Sequence, residues 1–266
     1  MARGLGRNPV RWQVSRLSSR DQAERLTNAN LFTGLLPDFV AVAESDTVDI
    51  DGETWPEEDQ SLIRAAEKRR LEFRAGRILA RRAIAQLGLP AGPILRGPDR
   101  APIWPAGIIG SIAHCGRRLA AAAARAAHAA NIGIDVEEIV RFRPDLERSI
   151  ADDEEIAAAL QGWPPDLRSA NLAAIFCIKE AFYKAQRPLS GAWLGFHDVR
   201  LQLDQAGGIF NLTLLKDVRP LPSGAMFSGR YRIVDGLVAA ALLIPAARSA
   251  ASRCEPLGGP IHDPQL

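Results

Sequence analysis

The stretch "RLAAAAARAAHAANIGIDVEEI", Arg118–Ile139, decides the fold, because its two halves pull toward different structures. Alanine is the strongest intrinsic helix former, so by propensity the first half reads as helix. The second half, "NIGIDVEEI", sets branched apolar residues in alternation and reads as strand. In a strand, residues i and i+2 share a face. Asp135 and Glu137 then stand side by side, with Glu138 on the other face. Two like charges on one strand face repel unless something positive lies against them.

The flanks set this stretch in a mixed architecture. "PEEDQSLIRAAEKRRLEFRAGRILARRAIAQLG", Pro56–Gly88, reads as one helix, opened by Pro and three acids and stopped by Gly. "LPAGPILRGPDRAPIWPAG" is punctuated by Pro and Gly and reads as loop with one short strand. "IIGSIAHC" suits a buried strand. "DDEEIAAAL" and "DLRSANLAAIFCIKEAFYKAQ" read as helices. Four strand-like runs follow between His197 and Ile244, with Asp235–Gly236 as a hairpin turn. The expected class is α+β.

Composition narrows the function. The 266 residues can bury a sizeable core, and a net charge of +2 does not suggest a nucleic-acid binder. No apolar run is long enough to span a bilayer, and the Arg-spotted start lacks the apolar core of a secretory signal. Cys115, Cys177 and Cys254 are odd in number and widely spaced. They form no zinc or disulfide pattern, so a reduced, cytoplasmic setting is expected. His128 and His197 have no evident partner and read as structural. Trp104 reads as a packing residue. His114 and Cys115 are strand neighbours on opposite faces, which argues against a nucleophile–base pair.

"IFCIKEAFYKA", Ile175–Ala185, is the second informative stretch. Ile175, Ile178 and Phe182 share one helical face, expected to be core. Glu180 and Lys184 lie together four residues apart, and Lys179 lies on the flank of the core stripe. Charges in an apolar helix are costly unless paired or lining a cleft. Taken alone, the pair reads as a surface ion pair. Taken with the strand, Asp135, Glu137 and Glu180 make a three-carboxylate oxygen set suited to Mg²⁺ beside phosphate. Lys179, Lys184 and His114 are the candidate phosphate ligands.

"GIDVE" followed by "FCIKEAFYKA" resembles the paired signature of the phosphopantetheinyl transferases. The matching residues are Gly133, Asp135 and Glu137, then Phe176, Lys179, Glu180, Ala181 and Lys184. "KRRLEFRAGRILARRAIAQLG", "PILRG" and "PIWPAGIIGSIAHC" are similar to the enterobactin-synthase and actinobacterial branch. The resemblance implies a pseudo-twofold pair of similar α+β lobes with the active site in the cleft between them. On this chain that gives lobes at 21–128 and 129–245; by composition, the Arg-rich, weakly periodic residues 1–20 read as a loosely ordered start and the Ala/Ser/Pro/Gly-rich residues 246–266 as a disordered tail. The resemblance also implies that "RLAAAAARAAH" is strand, against local propensity.

The implied reaction moves the 4′-phosphopantetheine arm of coenzyme A to a serine of an apo acyl or peptidyl carrier protein, or of a synthase carrier domain. It needs Mg²⁺ and releases adenosine 3′,5′-bisphosphate. Asp135, Glu137 and Glu180 are then the metal acids, with Glu180 also the base for the serine. Asp135, Lys179, Glu180, Lys184, His114 and the backbone at Ala113 contact coenzyme A. Arg69, Arg77 and the loop from Arg96 to Asp99 correspond to nucleotide and 3′-phosphate contacts. Many members have Lys in that loop where this chain has Arg96. An arginine stripe, Arg70, Arg74, Arg77 and Arg81, is a candidate cleft lining on the helix. One chain supplies both lobes, so a monomer is expected.

Two other classes compete. A nucleic-acid binder would use the arginine stripe, but it leaves three clustered acids unexplained. A catalytically inactive module binding coenzyme A or a carrier protein would keep the cleft without the transfer.

Overall fold

The computed structural model describes residues 30–160 and 167–246. The expected loose start at 1–20, and all but the first residue of the expected tail, lie outside the described residues. In chain order the elements are β1 (Ala41–Ser45), α1 (Pro56–Asp59), α2 (Glu67–Gln86), β2 (Ile108–Cys115), β3 (Arg118–Arg125) and β4 (Asn131–Glu138). Then come α3 (Glu147–Ile150), α4 (Asp153–Leu160), α5 (Arg168–Ser190), β5 (Val199–Asp204), β6 (Ile209–Leu214), β7 (Met226–Val234) and β8 (Leu237–Ile244). All pairings between these strands are antiparallel, in two sheets ordered β1-β3-β2 and β4-β8-β7-β6-β5. The class is α+β, as expected. No helix among the described residues is long and apolar enough to cross a membrane.

The alanine run is the centre strand of the first sheet, and its two faces explain why propensity loses. Leu119, Ala121 and Ala123 pack against Ala75, Leu79, Ala80 and Ala83 of α2. Ala120, Ala122 and Ala124 pack against Ile132, Ile134 and Val136 of β4 and Ala239 and Ala241 of β8. Small side chains on both faces let a helix and a second sheet approach the strand closely. The helical preference of alanine is worth only about 0.7 kcal/mol per residue or less against ordinary residues, and burial on two faces outweighs it. The outer faces of β4 and β8 then receive α5, through Val238, Ala240, Leu242 and Ile244. The layers run α2, three-stranded sheet, five-stranded sheet, α5.

The expected single helix over 56–88 is instead two. The chain turns between α1 and α2, and α1 folds back against α2. Arg81 donates to Glu58 Oε1 at 2.6 Å, and Arg74 donates to both oxygens of Asp59. In one continuous helix residues 58 and 81 would lie about 35 Å apart, so these pairs require the break. The strand β1, "AVAES", has no strong signal of its own and is fixed by its register on β3, with Ala43 opposite Ala121. The Asp235–Gly236 turn does close the β7–β8 hairpin, with φ of 49° and 76°.

Gly133 sets the distance between β4 and α5. A Cβ there would strike the Ala181 carbonyl group, its carbon at 2.8 Å, and the Ala185 Cβ at 2.9 Å. Asn131 Nδ2 donates to the Ala185 carbonyl at 2.8 Å and pins the same crossing. On the other side, the Ile134 N–H donates to Ser111 Oγ at 3.1 Å, tying β4 to β2. Gly133→Ala must therefore push α5 off the sheet. Overpacking of this kind costs about 1–3 kcal/mol, occasionally more. We expect a lowered denaturation midpoint together with weakened binding of any ligand held by both β4 and α5. A variant with unchanged midpoint and unchanged binding would contradict the close approach.

Candidate active site

A cleft of about 510 Å³ opens where β2 and β4 meet, with α2 on one wall and α5 on the other. Its lining follows helical spacing on both walls. From α2 come Arg69, Glu72, Phe73, Gly76 and Arg77; from α5 come Phe176, Glu180, Tyr183, Lys184 and Arg187. Each set is one face of a helix. The floor is Ser111, Ile112 and His114 of β2 with Asp135 and Glu137 of β4, and the loop holding Arg96, Asp99 and Arg100 closes one end.

Two carboxylates of the lining, Glu137 and Glu180, feel the charge of a third, Asp135. Asp135 is buried; its Oδ1 accepts from Lys184 Nζ at 2.6 Å, while its Oδ2 is buried without a hydrogen-bond partner. Burial and the neighbouring Asp135 charge raise the pKa of Glu137, whose Oε2 accepts a hydrogen bond from the Cys115 thiol at 3.2 Å. Burial, then Asp135, likewise raise the pKa of Glu180. Burial works against the Lys184 charge, but Asp135 and Glu180 hold its pKa above the ordinary lysine value. Glu138 takes no part. Its carboxylate accepts from Arg141 Nε at 3.0 Å, and it faces a separate hollow beside Arg117 and Asp235.

Cations occupy the α2 side. Arg69 donates to His114 Nε2 at 2.6 Å, which makes that nitrogen the acceptor and places the imidazole proton on Nδ1. Partial desolvation, with the charges of Arg69 and Lys184 nearby, lowers the His114 pKa, so the ring is neutral at pH 7. Arg77 is buried, its Nε donating to the Ile94 carbonyl at 2.6 Å and its guanidinium lying 4.3 Å from the Phe73 ring centre. Burial lowers its pKa to about 10, with Arg81, Arg69 and Arg96 contributing in the same sense. It remains charged, held by carbonyl dipoles.

The donor chemistry fits a hard divalent cation. Three carboxylates raised or crowded by one another, one with an orphaned buried oxygen, would be relieved by Mg²⁺ at Asp135, Glu137 and Glu180. The site is not closed for it: among the described residues no three metal-ligating side chains already converge. Lys184 meanwhile supplies the positive charge on Asp135.

One expected contact falls elsewhere. Lys179 does not line the cleft. It is 2% exposed, and its Nζ donates to Glu155 Oε2 at 2.6 Å and to the Ile150 and Phe196 carbonyls, each at 2.9 Å. All three protons are committed to structure. Ala113 buries its methyl in the core between the sheets, in register with Ala120, and the contact expected there is through its backbone. The arginine stripe also divides. Arg70, Arg74 and Arg81 are paired to Glu67, Asp59 and Glu58, and of the four only Arg77 lines the cleft. Tyr183 is cleft wall, and Arg187, Arg100 and Glu72 join the lining without having been expected there. The i, i+4, i+7, i+8, i+11 series from Phe176 to Arg187 was the available signal.

Comparison with known proteins agrees with this arrangement in extent. A family model described as 4′-phosphopantetheinyl transferase N-terminal domain matches residues 57–124, and one described as the 4′-phosphopantetheinyl transferase superfamily matches 131–232. The chain is 39% identical over 198 residues to 4′-phosphopantetheinyl transferase Svp of Streptomyces mobaraensis, covering 72% of this chain and 79% of that one. It is 33% identical over 226 residues to 4′-phosphopantetheinyl transferase Npt of Nocardia iowensis, covering 78% and 97%. Enterobactin synthase component D of Salmonella typhimurium is 35% identical over 150 residues, covering 52% and 60%.

Lys179 gives a clean test of structural against ligand roles. Burial lowers its pKa and raises that of Glu155, so each charge depends on the other. Lys179→Met strands Glu155, and breaking a buried pair this way costs about 3–5 kcal/mol. We expect a lower urea midpoint, less so near pH 5, where the stranded Glu155 takes up a proton, than at pH 8. Cleft ligands should bind the folded variant within about twofold of the parent, since 1.4 kcal/mol is already tenfold. A large loss of ligand binding at unchanged stability would return Lys179 to the site.

Proposed function

The chain belongs to the 4′-phosphopantetheinyl transferase superfamily and is a transferase of that type, and from that premise we propose that it moves the phosphopantetheine arm of coenzyme A to a serine of apo acyl or peptidyl carrier proteins. The observation that carries the reading is the opposition inside one cleft of Asp135, Glu137 and Glu180 to Arg69, Arg77, His114 and Lys184. That charge pattern would suit a pyrophosphate beside a metal ion held by the carboxylates. Mg²⁺ would be held by Asp135, Glu137 and Glu180, and when bound it supplies charge neutralisation at the pyrophosphate.

The protein's own groups account for the rest. The carrier serine is a weak nucleophile at neutral pH and needs a base within hydrogen-bond reach. Glu180 fits: it lines the cleft and its raised pKa makes it a stronger base than an ordinary carboxylate. The serine oxygen bonds to the β-phosphorus of coenzyme A, its proton passes to Glu180, and the bond to the departing adenosine 3′,5′-bisphosphate breaks. Charge grows on that leaving group, and Lys184 and Arg69 are placed to stabilise it. His114 donates through Nδ1–H if that edge meets the substrate; its Nε2 is occupied by Arg69. One chain lines both walls of the cleft, which supports a monomer. The buried free thiols Cys115 and Cys177 support a reducing cytoplasmic setting.

Mass spectrometry of an apo carrier protein incubated with coenzyme A and Mg²⁺ tests the reading. We expect a gain of one phosphopantetheine, lost with EDTA and reduced at least about 100-fold by Glu180→Gln, the scale of a general base. Transfer by the parent protein to none of several carrier types would overturn it, and binding of coenzyme A without transfer would identify an inactive module.

The acids also fix a pH dependence that does not rely on turnover. Glu137 and Glu180 have folded-state pKa values above 4.5. Below that value both folded and unfolded chains carry the protons and no cost arises. As pH rises through the raised values, the unfolded chain releases protons more readily, so the metal-free fold loses stability. Mg²⁺ relieves the repulsion only when the acids are ionised. Thermal melts should show a larger Mg²⁺-induced rise in Tm at pH 8 than at pH 5, and no rise in Asp135→Asn. Equal shifts at both pH values would argue against a metal on these carboxylates.

A further inference from the structure

The strand β2 carries His114 on one face and, on the other, two side chains that seat the acid strand. Ser111 and Cys115 are four residues apart and share that face. Ser111 Oγ accepts from the Ile134 N–H at 3.1 Å, and Cys115 Sγ donates to Glu137 Oε2 at 3.2 Å. β2 and β4 belong to different sheets, so side chains hold one strand against the other where a shared ladder would otherwise do so.

The second of these bonds reaches one of the acids directly. Cys115 is 2% exposed and lies against a carboxylate that lines the cleft. Burial, then the Glu137 charge, push the thiol up to about 12, so the sulfur keeps its proton and remains a donor. The bond engages Oε2 of Glu137, and among the described residues no hydrogen bond holds Oε1. Asp135, two residues back on the same face of β4, divides its oxygens in the same way. Its Oδ1 accepts from Lys184, and its Oδ2 is buried without a partner. Each acid thus has one oxygen fixed by the protein and one left unclaimed. The Asp135 charge opposes that of Glu137. Without the thiol, the flexible Glu137 side chain would be free to turn away from it. Carboxylates that ligate metals are commonly held by a hydrogen bond from a neighbouring group.

Resting on the reading that Asp135, Glu137 and Glu180 hold Mg²⁺, we propose that Cys115 is a positioning residue that acts through Glu137. Its thiol holds one carboxylate oxygen so that the other is presented for the cation, and Ser111 fixes the strand that carries the acid.

The test compares Cys115→Ala and Cys115→Ser with the parent protein. Both variants lose the bulk of the sulfur, but serine keeps a hydrogen-bond donor and alanine does not. The Mg²⁺ Kd is measured by titration calorimetry on the protein alone and with coenzyme A, with no carrier protein present. It should rise about 10-fold in Cys115→Ala, the low end for losing a group that orients a ligating carboxylate. Cys115→Ser should recover most of that loss. The Mg²⁺ concentration for half-maximal transfer should follow the same order. Equal Kd values in the parent protein and Cys115→Ala would overturn the proposal. So would equal losses in the two variants, which would mark the cysteine as a packing residue alone. A parent protein that binds Mg²⁺ but modifies no carrier would end the functional reading and leave Cys115 to be judged by Kd. A parent protein that binds no Mg²⁺, alone or with coenzyme A, would overturn the positioning role whatever the transfer assay shows.

Discussion

The contact on which the rest depends is the crossing of α5 over β4 at Gly133. With no side chain at residue 133, the helix backbone at Ala181 lies directly on the strand. The next residues on that face of β4 are Asp135 and Glu137, and Glu180 and Lys184 flank Ala181 on the helix. The close approach therefore brings Asp135 against Lys184 and within electrostatic reach of Glu180, from two elements about fifty residues apart in sequence. A wider gap would leave Asp135 out of reach of Lys184, with both charges half-buried and unpaired. The glycine is a packing requirement first, and the chemistry depends on it.

What that crossing assembles is deliberately unbalanced. Elsewhere several buried charges are paired, Lys179 with Glu155, Arg81 with Glu58 and Glu44 with the Leu31 and Phe32 amides, while Arg118 is an exception. In the cleft, Asp135 keeps an orphaned oxygen and raises the pKa of its neighbours. On the far wall Arg77 is held by carbonyls in place of a carboxylate. Leaving buried charge incompletely satisfied costs stability. It also leaves both walls able to take up a ligand of mixed charge, anionic phosphate together with a cation, without first breaking strong internal pairs.

Much of this was legible in the sequence where periodicity had one meaning. The alternation in "GIDVEEI" places Asp135 and Glu137 on the cleft side and Glu138 with Arg141 on the other. Two kinds of feature were not legible. The alanine run is strand because layers on both of its faces need small residues, and local propensity carries no information about those layers. Lys179 and Glu180 are adjacent, so they point about 100° apart, and the sequence alone does not say which direction is cleft. That is settled by Glu155, which reaches Lys179 from α4.

The arginines of α2 show how the same residue type separates into two roles. Arg70, Arg74 and Arg81 each meet a carboxylate, and the pairs made by Arg74 and Arg81 bind α1 to α2. Arg69, about 100° from Arg70 around the helix, and Arg77, at the edge of the stripe nearest it, face the cleft with Glu72, Phe73 and Gly76. A helix can therefore be strongly basic and yet offer the cleft only two of its cations. Selectivity for a polyanionic substrate then depends on which arginines lack a carboxylate, more than on how many arginines there are.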